Sequence, residues 1–170
     1  MSISSDIPER ALRELYLLPF ERAVKEGGVW AVMTAYNRID GVFAADHHRL
    51  VQQVLRDEWG FDGVVVSDWM ATRTTAGSAN AGLDLIMPGP GGPWEAKLLD
   101  AVTAGDVAES VIDDKVARLL LLASRVGALA SVGAVADCRI VSRERGAEGG
   151  HEIECRGGAL SEVRPAASPE

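Results

Sequence analysis

The residue best placed to do chemistry in this 170-residue chain is Asp68, which closes the run Gly63-Val64-Val65-Val66-Ser67-Asp68-Trp69. Three successive valines after the turn-forming Phe61-Asp62-Gly63 predict a strand buried on both faces. Strands of that kind belong to parallel sheets covered by helices. They can place a carboxylate only at an end, and in α/β barrels the C-terminal strand ends build the active site. Asp68 is therefore a catalytic candidate. An Asp at the same place can equally cap the following segment, and the pattern alone leaves both readings open.

Other reactive residue types have plainer readings. Asp84 falls inside the short strand pattern Leu83-Asp84-Leu85-Ile86-Met87 and reads as a structural hydrogen-bonding group. His47 and His48 are adjacent, so on a helix they point apart; an exposed helix start is expected rather than a metal site. Lys25, Lys97 and Lys115 fall on expected helices rather than strand ends, which argues against a Schiff-base aldolase. Gly89-Pro90-Gly91-Gly92 lacks the Lys-Ser/Thr of a phosphate loop and reads as a turn. Cys138 and Cys155 have neither CxxC spacing nor paired histidines, so neither a zinc site nor a disulfide framework is indicated. No metal and no cofactor is implied.

The length suits one domain with a real core. A formal charge of −8 argues against nucleic acid or an anionic membrane as the main partner. Met1-Ser2-Ile3-Ser4-Ser5-Asp6 carries neither a cationic region nor an apolar run, so no signal peptide or membrane span is expected and the location indicated is cytoplasmic.

The elements that must position Asp68 follow from periodicity. Asp6-x-x-Glu9 with Pro8 signals a helix start, followed by Leu12, Leu15 and Tyr16 at helical spacing. Pro19 interrupts that helix and opens a second through Phe20, Ala23 and Val24, ended by Gly27-Gly28. Trp30 to Tyr36 reads as a buried strand, and a loop through Asp40-Gly41 leads to a helix from about Asp46 to Trp59. Its stripe is Leu50, Val51, Val54, Leu55 and Trp59, with Gly60 as the cap. The Asp68 strand completes a strand–helix–strand crossover, for which parallel strands and a right-handed connection are expected. Small residues from Ala71 to Gly82 lead to the strand Leu83 to Met87, stopped by Pro88. Trp94 to Ala104 and Val107 to Val126 read as helices, the second opening on the box Asp106-x-x-Glu109. No aromatic residue follows Trp94, and residues 129–170 mix Arg, Glu, Gly, Ala and Ser without period; a disordered, solvated end is expected there.

Five motifs occur in order: Tyr16-Leu17-Leu18-Pro19-Phe20-Glu21, Met33-Thr34-Ala35-Tyr36-Asn37, Glu58-Trp59-Gly60-Phe61-Asp62-Gly63, Ser67-Asp68-Trp69 and Ala81-Gly82-Leu83-Asp84. From about Pro8 to Gly127 the chain thus resembles the family 3 glycoside hydrolases of the β-glucosidase type. The resemblance implies an α/β fold, namely the last three βα units of a (β/α)8 TIM-type barrel over residues 1–128. It implies hydrolysis of β-O-glycosidic bonds in carbohydrate catabolism, with a β-glucoside or related oligosaccharide as substrate. Asp68 would be the catalytic nucleophile, Met33 and Tyr36 would line the glycone subsite, and Trp69 would face the sugar. The chemistry agrees: a retaining glycosidase needs one carboxylate to attack the anomeric carbon and a second carboxyl about 5–5.5 Å away to protonate the leaving oxygen. Tyr36 could orient the attacking oxygen, while Met33 and Trp69 offer apolar area to the C–H face of a pyranose. Taken without the motifs, Met33 and Tyr36 read as core residues and Trp69 as a packing anchor.

Some family features are missing. There is no Lys-His pair, the family's acid/base carboxylate comes from a later segment not recognisable here, and three strands are found where a closed barrel has eight. The expectation is thus a barrel portion that would need further barrel and sandwich segments as partners and be a poor catalyst alone. The alternative is a non-catalytic remnant with at most weak sugar binding. The N-acetylglucosaminidase branch usually carries Asp-Asp where Ser67-Asp68-Trp69 stands, which favours the β-glucosidase or β-xylosidase branch.

Overall fold

A computed structural model describes residues 3–128, 138–143, 150–155 and 158–159. Strand β1 (Ser4–Ser5) precedes a continuous helix α1, built from Glu9–Ala11, a π-wound stretch Leu12–Leu17 and Leu18–Lys25. The helix starts at Glu9, where the Asp6-x-x-Glu9 signature with Pro8 placed a start, but without a side-chain cap: Asp6 accepts the Ser4 hydroxyl at 2.7 Å, and Glu9 pairs with Arg13 and Arg49. Nor does Pro19 interrupt the helix: it lies at the junction where the π-wound stretch Leu12–Leu17 passes into Leu18–Lys25.

After β2 (Ala31–Thr34) comes a hairpin that the sequence reading took for a loop, β3 (Arg38–Ile39) and β4 (Val42–Phe43). Asp40 and Gly41 form its turn with φ of 49° and 83°, the left-handed pair that a tight two-residue hairpin demands. A 3₁₀ turn Ala44–Asp46 and the π-wound helix α2 (Arg49–Glu58) lead to β5 (Val64–Trp69). Then follow α3 (Ala76–Asn80), β6 (Leu85–Met87), α4 (Ala96–Ala104) and α5 (Glu109–Arg125).

The central sheet has the order β2-β5-β6, all parallel, and β1-β3-β4 form a small separate sheet. Gly63 is required where β5 starts: a Cβ there would lie 2.4 Å from the Trp30 carbonyl oxygen, which accepts the Val64 N–H at 3.0 Å. One face of β5 is covered by helices. Val65, fully buried, packs with Val51, Val54, Leu55 and Trp59 of the α2 stripe and with Leu83. Each such side chain contributes roughly 1.5–3 kcal/mol of transfer free energy. The opposite face, with Met33, Val66 and Leu85 in one row, is open: Met33 is 58 % and Leu85 40 % exposed.

Asp84 stands just before β6 and locks it to β5. It accepts Val65 N–H at 2.7 Å, Arg56 Nη2 at 2.6 Å and Arg118 Nη1 at 3.0 Å, tying α2, β5 and α5 to one buried carboxylate. Beside this group Lys115, also buried, donates to the Ala79 carbonyl at 2.7 Å. Burial pushes Lys115 down from 10.5 to about 8, partly offset by Asp84. Below about pH 8 the lysine is charged in both folded and unfolded chain, and above about 10.5 neutral in both. Between those limits only the unfolded chain holds the proton, so stability rises with pH across that window. The gap is worth up to roughly 3 kcal/mol. Urea midpoints at pH 7.5 and pH 10 should therefore rise for the parent relative to Lys115→Met; parallel profiles would contradict the assignment.

Two further expectations are corrected. His47 is not an exposed helix start but 9 % exposed, with Nδ1 accepting the Leu50 N–H at 3.4 Å; burial lowers its pKa. The disordered end expected over 129–170 is replaced in part by an antiparallel sheet against α5, formed by β7 (Cys138–Arg143), β8 (Gly150–Cys155) and β9 (Gly158–Ala159). Its register opposes Arg139 to Glu154 and Ile140 to Ile153. The rest of that expectation lies outside the described residues.

Candidate active site

The C-terminal ends of the parallel strands converge on one edge of the central sheet. There β5 slips against β6: Val66 pairs with Leu85 but Trp69 with Met87, so three steps on β5 oppose two on β6. This bulge re-aims the residues between, among them Asp68, as bulges near functional sites commonly do. The strand then turns sharply, the Ala71 N–H donating to the Asp68 carbonyl at 3.0 Å. Met70, inside that turn, has φ of 60°, a left-handed conformation that is uncommon for a long side chain. Such strain clusters at functional sites.

Both backbone groups of Met87 are satisfied by the bulged end of β5. Its carbonyl accepts the Met70 N–H at 2.7 Å, and its N–H donates to Ser67 Oγ at 2.8 Å. The buried Ser67 hydroxyl therefore stands in for a ladder carbonyl where the slip has displaced one.

The structure brings Asp68 and Tyr36 together, with Met33 on the neighbouring strand and Trp69 next in the chain. Half-buried Asp68 accepts the Trp69 N–H on Oδ1 at 2.6 Å. The Tyr36 phenol, reaching across from the loop after β2, has its pKa raised by lost hydration first, then by the Asp68 charge and a side-chain hydrogen bond to Asp68. Met33 lies in the open row of the sheet, and Trp69 is 55 % exposed at the bulge. A phenol donating to a strand-end carboxylate can fix which oxygen faces a ligand, and Met33 and Trp69 provide apolar surface beside it. Among the described residues no group of His, Cys, Asp and Glu could hold a metal ion.

Ser67 went unnoticed in the sequence because its role depends on a register shift with a strand twenty residues away. Ser67→Ala leaves the Met87 N–H without its acceptor and should cost about 1–3 kcal/mol. It should also release the bulge, moving Asp68 away from Tyr36, so that Tyr36 ionises closer to its ordinary 10.0 in a spectrophotometric titration. An unchanged Tyr36 titration would show that Ser67 does not position Asp68.

Comparison with known proteins decides the family. A sequence model described as the glycosyl hydrolase family 3 N terminal domain matches residues 3–122. The chain belongs to glycosyl hydrolase family 3. A β-glucosidase of Rhizobium radiobacter is 46 % identical over 155 residues, a match covering 87 % of this chain and 19 % of that protein. Among solved structures, the β-glucosidase D2-BGL of Chaetomella raphigera has a TM-score of 0.70 and 42 % identity over 75 % of this chain and 18 % of that one. The β-glucosidase 3B of Thermotoga neapolitana, solved in complex with glucose, has a TM-score of 0.67 and 38 % identity, covering 71 % of this chain and 18 % of that one. The family 3 segment described here thus spans less than a fifth of the length of these relatives.

Proposed function

We propose that this chain carries the nucleophile-bearing part of a retaining β-glucosidase site. The observation behind the proposal is Asp68 on the bulged end of β5, facing the Tyr36 phenol, in a chain similar to β-glucosidases. In this reading an Asp68 oxygen attacks the anomeric carbon of a β-glucoside while the bond to the leaving oxygen breaks. That oxygen takes its proton from a second carboxyl about 5–5.5 Å away. Water then attacks the glycosyl ester, giving up a proton to the same carboxyl and releasing the sugar with its configuration retained. Tyr36 orients the attacking oxygen, and Met33 and Trp69 hold the pyranose.

We place the second carboxyl on further protein segments that complete the barrel beside β2 and β6. Support comes from those two strands, each paired on one side only among the described residues, and from apolar side chains exposed in the open row and on α1, including Tyr16 and Phe20. The chain alone should accordingly be a weak catalyst. The reading is tested by replacing the matching segment of the Rhizobium radiobacter enzyme with residues 3–122 of this chain. The hybrid should hydrolyse an aryl β-glucoside at a rate within the ordinary enzyme range of about 1–1,000 per second. A folded hybrid without turnover would favour a non-catalytic remnant.

A further inference from the structure

On the β6 side of Asp68 lies a second cleft, of about 320 Å³, walled by Met70 to Arg73 on one side and Met87 to Pro93 on the other. Three of its groups are hydrogen-bond donors or cations. Thr72 is 7 % exposed, and its Oγ1 is buried with no hydrogen-bond partner among the described residues. An unmet buried hydroxyl costs about 1–3 kcal/mol and calls for a reason. Arg73 and Lys97 line the same cleft, and among the described residues neither is paired with an acid. Glu95 accepts the N–H of Gly91 at 2.8 Å but is not itself among the residues lining the cleft. Two cations and a free hydroxyl with no opposing carboxylate are the chemistry of an anion site, and the arginine adds a fork suited to a carboxylate. The remaining wall, Met70, Ile86, Met87 and the prolines, is apolar. Apolar walls with one charged corner fit an aromatic ring bearing an acid group.

The position says which part of a substrate would lie there. Met33 and Tyr36 stand on the β2 side of Asp68, whereas this cleft opens past Trp69 and Met87 on the β6 side. A sugar held against Met33 and Tyr36, with its anomeric carbon at Asp68, has this cleft as its neighbour on the β6 side. We infer that the cleft is a leaving-group subsite for an aromatic carboxylate, so that the preferred substrates are β-glucosides of phenolic acids; this rests on the glucosidase reading above.

Calorimetric titration of the full chain tests it with three probes: phenyl β-D-glucoside, 4-carboxyphenyl β-D-glucoside and benzoate alone. One charge-assisted contact predicts that the carboxylated glucoside binds about tenfold tighter than the neutral one. In Arg73→Gln and Lys97→Gln, both exposed positions that a polar side chain tolerates, the ratio of the two affinities should fall towards one. Equal affinities in the parent chain, or a preference that survives both substitutions, would overturn the subsite. If benzoate binds and is lost with Arg73→Gln while neither glucoside binds, the anion site stands and the glucosidase reading fails. If no probe binds, the subsite is refuted.

Discussion

Replacing Asp68 by glycine in the hybrid enzyme should abolish hydrolysis of aryl β-glucosides while leaving the fold in place. A nucleophile and a capping aspartate fail differently. Loss of a cap costs about 0.5–2 kcal/mol of stability and leaves the chemistry intact. Loss of a nucleophile removes the covalent intermediate, a deficit of roughly 10⁴–10⁶-fold in turnover where triad members have been deleted in other enzymes. Asp68 is only half-buried, and its carboxylate engages only the Trp69 N–H and the Tyr36 phenol among the described residues, so little packing depends on it. Azide fits the vacated space and can attack the anomeric carbon from the same face. An activated aryl glucoside should then give the α-glycosyl azide, since a single inversion replaces two. Full activity of Asp68→Gly without azide, or a β-configured azide, would end the assignment.

Asp84 should behave in the opposite way. Its carboxylate is 3 % exposed and satisfies Arg56, Arg118 and the Val65 N–H together. Asp84→Ala takes the carboxylate from two guanidinium groups, leaving Arg56 with backbone carbonyls alone and Arg118 with Asp114 at 3.6 Å, and breaks the contact that aligns β6 with β5. Breaking a buried ion pair by removing one partner costs about 3–5 kcal/mol, enough to unfold a marginal domain. Guanidinium denaturation followed by circular dichroism should show a large fall in midpoint or no folded baseline. A shift comparable to that of Asp68→Gly would mean that the Arg56–Asp84–Arg118 network carries little of the stability. Together the two aspartates separate chemistry from architecture.

The contrast between these acids was partly legible in the sequence. Three valines ahead of Asp68 marked a buried strand whose end could expose a carboxylate, and Asp84, inside an apolar run, had to be paired. The helix α2 stripe was equally readable because Val51, Val54, Leu55 and Trp59 recur on one face and all are buried. What escaped depends on partners distant in sequence. The bulge that aims Asp68 exists only in the register of β5 against β6, so Ser67 looked like an ordinary strand residue. The β3–β4 hairpin has strands of two residues, too short for alternation, and only Asp40-Gly41 signalled it. His47 could not be recognised as buried, since its neighbours come from the fold rather than from the helix start. The cleft at Thr72 and Arg73 likewise depends on the loop after β6 folding back over the end of β5.

The central claim is that Asp68 forms a glycosyl ester, and covalent trapping tests it most directly. A 2-deoxy-2-fluoro β-glucoside with an activated leaving group suits the purpose, because fluorine at C2 destabilises the oxocarbenium-like transition states of both steps. The good leaving group keeps ester formation faster than its hydrolysis, so the intermediate accumulates. Incubation with the hybrid enzyme, followed by proteolysis and peptide mass spectrometry, should find the fluoroglucosyl group on Asp68. Its attachment to another carboxylate, or continued turnover of ordinary substrate with no trapped ester at Asp68, would contradict the account.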